Sequence, residues 1–362
     1  MGKLRRSAGL SGAPLAMVVP GSLDQLTGGY LFDRHIVEGL RAAGRCVRVI
    51  ELPGHHPDAD AATREAASAA LQTLPDDSIA VLDGLALPGC VDAVSIHAAR
   101  LRLLGFIHHP LSLETGLEPA QAERVAALEH DLWPQLRGLL CPSAHTAHCL
   151  AAAGIAPSGI AVVPPGTERP VYPGPARQPG PVLQLLSVGS VVPRKGHALL
   201  VEALAGLADL PWHLTCIGSL DRDRDAVAGL RAAIDTFRLG DRVTLAGEQP
   251  PAALEAAWSA ADAFVLPSSH EGYGMAYAEA MVRGLPVIGT TAGAIPDTVP
   301  ASAGLLVAPG DVDALRGALR SVLVDPLLRA RLAAGALRAA DALPDWPEAV
   351  RRWAEAADRL AA

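Results

Sequence analysis

ADAFVLPSSHEGYGMAYAEAMVRGLPVIG, residues 261–289, holds one complete folding unit. Residues 263–266 form a short apolar run that reads as a strand, and a loop studded with Gly272 and Gly274 follows. Apolar residues at helical spacing then fill 275–283, and a second short apolar run occupies 286–289. A strand, a helix and a strand in so short a span make a βαβ crossover, which builds a parallel sheet.

The same alternation runs along the rest of the chain. Upstream, strands are expected at 16–19, 47–51, 79–83, 102–107, 138–141 and 160–163, with helices such as 30–43 and 120–133 between them. Residues 164–181 carry seven prolines in eighteen positions and can neither continue a helix nor pair inside a sheet, so they read as a linker. The alternation then restarts, with strands at 182–188, 213–217, 243–246, 263–266 and 286–289 and helices at 196–207, 222–237, 251–259 and 275–283. Asp345, with Pro347 and Glu348 behind it, has the character of an N-cap region opening a last helix to about residue 360. The expected fold class is α/β with two doubly wound domains. These are 1–170, with 346–362 packing back on it, and 181–345, facing each other across a cleft rimmed by the carboxyl ends of the strands.

Composition narrows the functional classes. The chain has 362 residues, 50% hydrophobic and 19% charged, which is ample for large cores and excludes wholesale disorder. Its formal charge is −8 and no basic run is present, so nucleic acid is not an expected partner. Five cysteines with no CxxC pair argue against a disulfide framework or zinc ribbon and suit a reducing, cytoplasmic setting. Neither GxGxxG after the first strand nor GxxxxGK[ST] occurs, against a nicotinamide dehydrogenase or a phosphate-loop nucleotidase. His55-His56 and His145 with His148 lack an evident third ligand, and no metal site is expected. Arg5-Arg6 and the Arg100–Arg102 region are the only hints of peripheral contact with the inner membrane face.

The loop at 271–274 opens a helix at about Met275, whose first N–H groups lack partners and favour an anion. Glu271 and Glu279, eight positions apart and the second two helical turns inside, can both accept hydrogen bonds from sugar hydroxyls. SVGSVVPRKGHALLVEAL, from Ser187, reads as a strand, a turn at Gly189, and then Lys195-Gly196 opening a helix. That places a cation beside a helix N-terminus, an arrangement suited to a diphosphate. In the first half, Gly28-Gly29 precede a helix, and His108-His109 follow a strand at what should be the cleft edge.

These motifs together resemble the retaining glycosyltransferases of family 4, which have the GT-B fold of two Rossmann-like domains. The resemblance runs from about Val18 to the last helix and is most specific in the C-terminal half. It implies a nucleotide-sugar donor (UDP-, GDP- or ADP-linked), no cofactor, no metal, and transfer to an unnamed acceptor with retention of configuration. By its Glu-x7-Glu motif Glu271 would contact the transferred sugar and Glu279 the ribose, while Gly274, Met275 and Ala276 would meet sugar and phosphates. Lys195 would hold the diphosphate. Ser190, after Gly189, stands where many members have Arg, and Arg194 would supply part of that charge. Gly28 and Gly29 resemble the family's N-terminal glycine loop near the donor phosphates. A histidine at the end of the following strand contacts the donor sugar, a role the alignment gives to His109 in preference to His108. Glu271, Lys195 and His109 are thus the expected catalytic residues. The alternatives are a GT-B nucleotide-sugar epimerase and a sugar-nucleotide-binding protein without catalysis.

Overall fold

The computed structural model describes residues 13–114, 116–170 and 180–362. It divides into two units, Met1–Gly166 with Pro344–Ala362, and Thr167–Leu343. Half of the proline-rich stretch, 171–179, lies outside the described residues, as do Arg5 and Arg6.

The first unit alternates β1 (Leu15–Pro20), α1 (Gly28–Ala42), β2 (Val47–Leu52), α2 (Ala61–Gln72), β3 (Ile79–Asp83), α3 (Val91–His97), β4 (Arg102–Phe106), α4 (Pro119–Leu132), β5 (Gly138–Cys141), α5 (Ala144–Ala152) and β6 (Ile160–Val162). All six strands are parallel, in the order β2-β1-β3-β4-β5-β6. β1 and β3 are buried at every position, because helices cover both faces of the sheet and leave no polar side to alternate with. α1 buries Tyr30, Phe32, Ile36, Val37 and Leu40, a stripe at helical spacing, and one charged residue within it, Asp33.

The second unit repeats the plan with β7 (Leu183–Val188), α6 (His197–Ala205), β8 (Trp212–Ile217), α7 (Arg224–Thr236), β9 (Val243–Gly247), α8 (Pro251–Ala260), β10 (Ala263–Val265), α9 (Met275–Val282), β11 (Val287–Thr290), α10 (Ile295–Thr298), β12 (Gly304–Val307), α11 (Val312–Val324) and α12 (Pro326–Ala340). Its parallel order is β12-β11-β10-β7-β8-β9. In each sheet the first strand lies inside, with later strands added on both sides. The loops leaving β1 and β3, or β7 and β10, therefore diverge and open a crevice at their carboxyl ends, the usual ligand position in such sheets.

The last helix, α13 (Trp346–Ala361), belongs to the first unit. Its N-cap, Asp345, accepts from the Glu348 N–H at 2.9 Å, a bond worth about 1 kcal/mol. Val350, Trp353, Ala357 and Leu360 are buried at helical spacing, and Trp353 alone stabilises by about 2–3 kcal/mol of apolar burial. Arg45, almost wholly buried, anchors the helix end through Asp358 at 2.6 Å. Arg100 and Arg102, read from sequence as a hint of membrane contact, are engaged within their own unit. Arg100 donates to the carbonyls of Leu71 and Leu74, both at 2.7 Å, and pairs with Asp76, while Arg102 faces Asp77 at 3.8 Å. No helix among the described residues is long and apolar enough to cross a membrane.

Candidate functional site

In the second unit the site is assembled where β7 and β10 end. β7 stops at Val188, the chain turns through Gly189 and Ser190, and Pro193–Lys195 form a single 3-10 turn. Gly196 then caps α6 with φ +69°, and a Cβ there would lie 2.4 Å from the Pro267 carbonyl oxygen, so any other residue would push the two segments apart. Lys195 thus sits in the turn beside the N-terminus of α6, which starts one residue later than the sequence suggests because Gly196 is left-handed.

That close approach locks the basic pair onto the β10 loop. The Ser269 N–H donates to the Arg194 carbonyl at 2.8 Å, and the Arg194 guanidinium donates to the His270 carbonyl at 2.7 Å. Lys195 Nζ donates to Glu271 Oε1 at 2.7 Å, Ser268 Oγ donates to the same oxygen at 2.6 Å, and Arg194 Nη1 lies 3.4 Å from Oε2. Glu271 is 6% exposed. Burial works to raise its pKa, but Lys195 and Arg194 outweigh it and hold the carboxyl down at about 2. Two cations therefore surround one carboxylate held in its charged form. Ser268, fully buried, is a member of this site that no sequence motif singles out.

Gly274 is the N-cap of α9, which starts at Met275 with no acidic residue in its first turn, so the N–H groups of Met275 and Ala276 are without intrahelical acceptors. Tyr277, fully buried, donates from its hydroxyl to the Leu266 carbonyl, and Thr290 Oγ1 donates to the Ser268 carbonyl; together they tie the loop to the sheet. Glu279 lies just past the first turn of the helix rather than two turns in, because the helix begins only at Met275. Its neighbours differ from those of Glu271. Burial pushes Glu279 up to about 7, Arg283 works against this, and Glu168 and Glu255 add to it.

In the first unit Gly28 and Gly29 open α1, with Thr27 as an N-cap that makes no side-chain bond. Both histidines lie beyond the end of β4 at Phe106. His108 Nε2 is 3.1 Å from Asp33 Oδ1 and 3.1 Å from Asp83 Oδ2. His109 Nε2 is 3.0 Å from Glu114 Oε2. Asp33 and Asp83 escape a sequence reading because they look like ends of apolar patterns. Their signal is a lone charge on the buried stripe of α1 and another closing the run IAVLD. With His108 they are the one trio of metal-ligating residue types among the described residues whose ligand atoms lie within 4.8 Å of one another. Nε2 is already engaged by both carboxylates, so the trio forms a hydrogen-bonded cluster as it stands.

Residues 174–338, nearly all of the second unit, match the family described as glycosyl transferases group 1. The second unit is a glycosyl transferases group 1 domain. The chain is 31% identical over 255 residues to a 2-deoxystreptamine glucosyltransferase of Streptomyces kanamyceticus, a match spanning 66% of this chain and 63% of that protein, just under two thirds of its length. Among solved structures, a sucrose-phosphate synthase of Thermosynechococcus elongatus superposes with a TM-score of 0.78 at 23% identity, covering 95% of this chain and 98% of that one. The Anabaena protein HepE, solved in complex with UDP-glucose, gives 0.75 at 18% identity, covering 95% and 99%. At such identities these likenesses show the fold, which is GT-B. Within the glycosyl transferases group 1 domain, Arg194, Lys195, Ser268 and Glu271 form one connected network, whereas Glu279 belongs to another group of charges with Arg283, Glu168 and Glu255.

Proposed function

We propose that the protein is a metal-independent glycosyltransferase that moves a hexosyl group from a nucleotide-sugar to an acceptor with retention of the anomeric configuration. The donor is held mainly by the second unit and the acceptor by the first. The observation that carries this reading is the pair of cations at the ends of β7 and β10, where Lys195 and Arg194 converge on Glu271 beside the start of α9. A departing nucleoside diphosphate gains negative charge as the bond to the sugar breaks, and pre-set cations and helix N–H groups stabilise that charge without reorganising. The membership of the second unit in glycosyl transferases group 1 supports the reading, as do the glucosyltransferase relative and the UDP-glucose bound to HepE. Five free cysteines suit a cytoplasmic enzyme.

Glu271 acts by orientation. A carboxylate held at about 2 and already accepting from Lys195 and Ser268 is a poor nucleophile and a poor base, but its remaining acceptor capacity suits sugar hydroxyls. Glu279, outside that network, accepts from the ribose hydroxyls. The acceptor oxygen attacks C1 on the face from which the diphosphate leaves. The C1–O bond to phosphate breaks as the new C1–O bond forms, and the acceptor proton passes to the departing phosphate oxygen.

The test is a thermal-shift panel of UDP, GDP, ADP and their glucose, mannose and N-acetylglucosamine derivatives. A ligand at about 100 times its Kd stabilises the native state by about 2.7 kcal/mol. One nucleotide family should shift the melting temperature, and Glu279→Ala should remove the shift. No shift with any member, or conversion of the donor to an epimer without an acceptor, overturns the reading.

A further inference from the structure

The cluster at the end of β4 does chemistry that the donor site does not use. Asp33, on α1, is 1% exposed and Asp83, at the end of β3, is 4% exposed, yet both aim a carboxyl oxygen at the same ring nitrogen of His108. One imidazole Nε2 carries one hydrogen, so it cannot satisfy two buried carboxylates independently. Asp33 Oδ2 moreover has no hydrogen-bond partner among the described residues, a vacancy far less costly on a neutral acid than on an ion. An arrangement without net charge is an imidazolium facing the Asp83 side with the extra proton held on Asp33.

The surroundings enforce this. Phe106 and Phe32 pack on the His108 ring with centroids 4.4 and 5.9 Å away and contribute no charge. Gly29 approaches so closely that a Cβ there would lie 3.2 Å from the ring, so the start of α1 abuts the imidazole. The other titratable neighbours act through Asp83. Cys90 is buried with its thiol pushed up to about 12, and burial lowers the pKa of His56, so neither supplies a competing charge near neutral pH. Burial works to lower the His108 pKa, but the two aspartates carry it up to about 10, while burial above all pushes Asp33 up to about 7. The ring keeps 19% of its side-chain surface exposed, and Nδ1 has no partner among the described residues.

We propose that Asp33 and Asp83 are positioning residues that fix His108 as an imidazolium, so that its Nδ1–H is offered to an oxygen of the substrate bound at the first unit. This rests on the proposed transfer reaction, and it gives the substrate contact of the first unit to His108 rather than His109. His109 instead meets Glu114. A cation held this way differs from an ordinary histidine, which would lose its charge near pH 6.5.

The experiment is a pH titration of the full chain labelled with 15N in its histidines, the His108 signals being assigned by their loss in His108→Gln. Both His108 nitrogens should remain protonated from pH 5.5 to 9. In Asp33→Asn/Asp83→Asn the ring should lose its proton near pH 6.5, and kcat in that variant should fall about tenfold per unit above pH 7 while KM for the donor changes little. A neutral imidazole at pH 7.5 in the unaltered protein overturns the proposal. So does an unchanged titration in the double variant, or equimolar zinc binding that shifts the His108 signals. If the double variant does not fold, the titration of the unaltered protein decides alone. Failure of every nucleotide in the thermal-shift panel with His108 still charged would instead remove the transferase reading and leave the cluster intact.

Discussion

The two sheets share a winding plan, and at the crevice of each three ionisable side chains meet with opposite charge balance. In the second unit two cations, Arg194 and Lys195, enclose the single carboxylate of Glu271. In the first, two carboxylates, Asp33 and Asp83, enclose the single imidazole of His108. Counted within the trio alone, the excess in the second unit is of positive charge. In the first it is a negative charge too costly to bury, which the cluster meets by keeping an extra proton. Topology brings segments distant in sequence together in both places, and the choice of residues decides the charge balance of the result.

The largest effect is expected from removing one of the two cations. Lys195→Ala should lower turnover by about 10²–10³-fold in a folded protein, measured as sugar transfer or donor hydrolysis. Full activity would show that this cation has no catalytic role. Glu271→Gln should separate binding from turnover. It removes the negative charge the two cations share, so UDP or its equivalent should bind several-fold more tightly while transfer falls by at least about 10²-fold for want of sugar orientation. Weaker nucleotide binding in that variant would mean that Glu271 does not compete for the two cations.

Stability should respond to pH in opposite directions in the two clusters. Glu271, held at about 2, contributes stability that is present above about pH 4.5 and lost as pH falls toward 2. The difference corresponds to on the order of 3 kcal/mol. Asp33, raised to about 7, and His108, raised to about 10, bind more protons folded than unfolded. Their contribution therefore diminishes as pH rises through 4–7 for Asp33 and 6.5–10 for His108. Melting curves should show Glu271→Gln flattening the acid limb and Asp33→Asn flattening the fall from pH 4 to 7; identical profiles in both variants would erase the contrast.

The smallest effect concerns Ser190. If Arg194 supplies the charge that many family members place at this position, Ser190→Arg should tighten nucleotide binding by no more than about threefold by equilibrium titration. A much larger gain would show that the positive charge at the second unit is incomplete.

Much of this contrast was legible before the fold. The alternation of short apolar runs with helical segments located the strands of both sheets, since strands buried on both faces must be continuously apolar. β7 was expected at 182–188 and spans Leu183–Val188, and β4 was expected at 102–107 and spans Arg102–Phe106. Helix starts were less legible. The helix expected from 196 starts at His197 because Gly196 is left-handed, and only the approach of the Pro267 carbonyl shows why. Asp33 and Asp83 were invisible for a related reason. Each belongs to an apolar segment by position, and a buried charge becomes a signal only when its partner, dozens of residues away, is known.

What the amino-acid order determined by itself was local and periodic: the βαβ plan, the glycine loop before α9, the basic pair before α6, and the N-cap at Asp345. Periodicity and capping act over a few residues, so they can be read along the chain. Tertiary structure alone decided which charges meet. It joined Lys195 to Glu271 across 76 positions and His108 to Asp33 across 75, and it gave Glu279 neighbours different from those of Glu271. Electrostatic energy depends on distance and burial in space, so the charge balance that sets apart the two crevices exists only once both sheets are built.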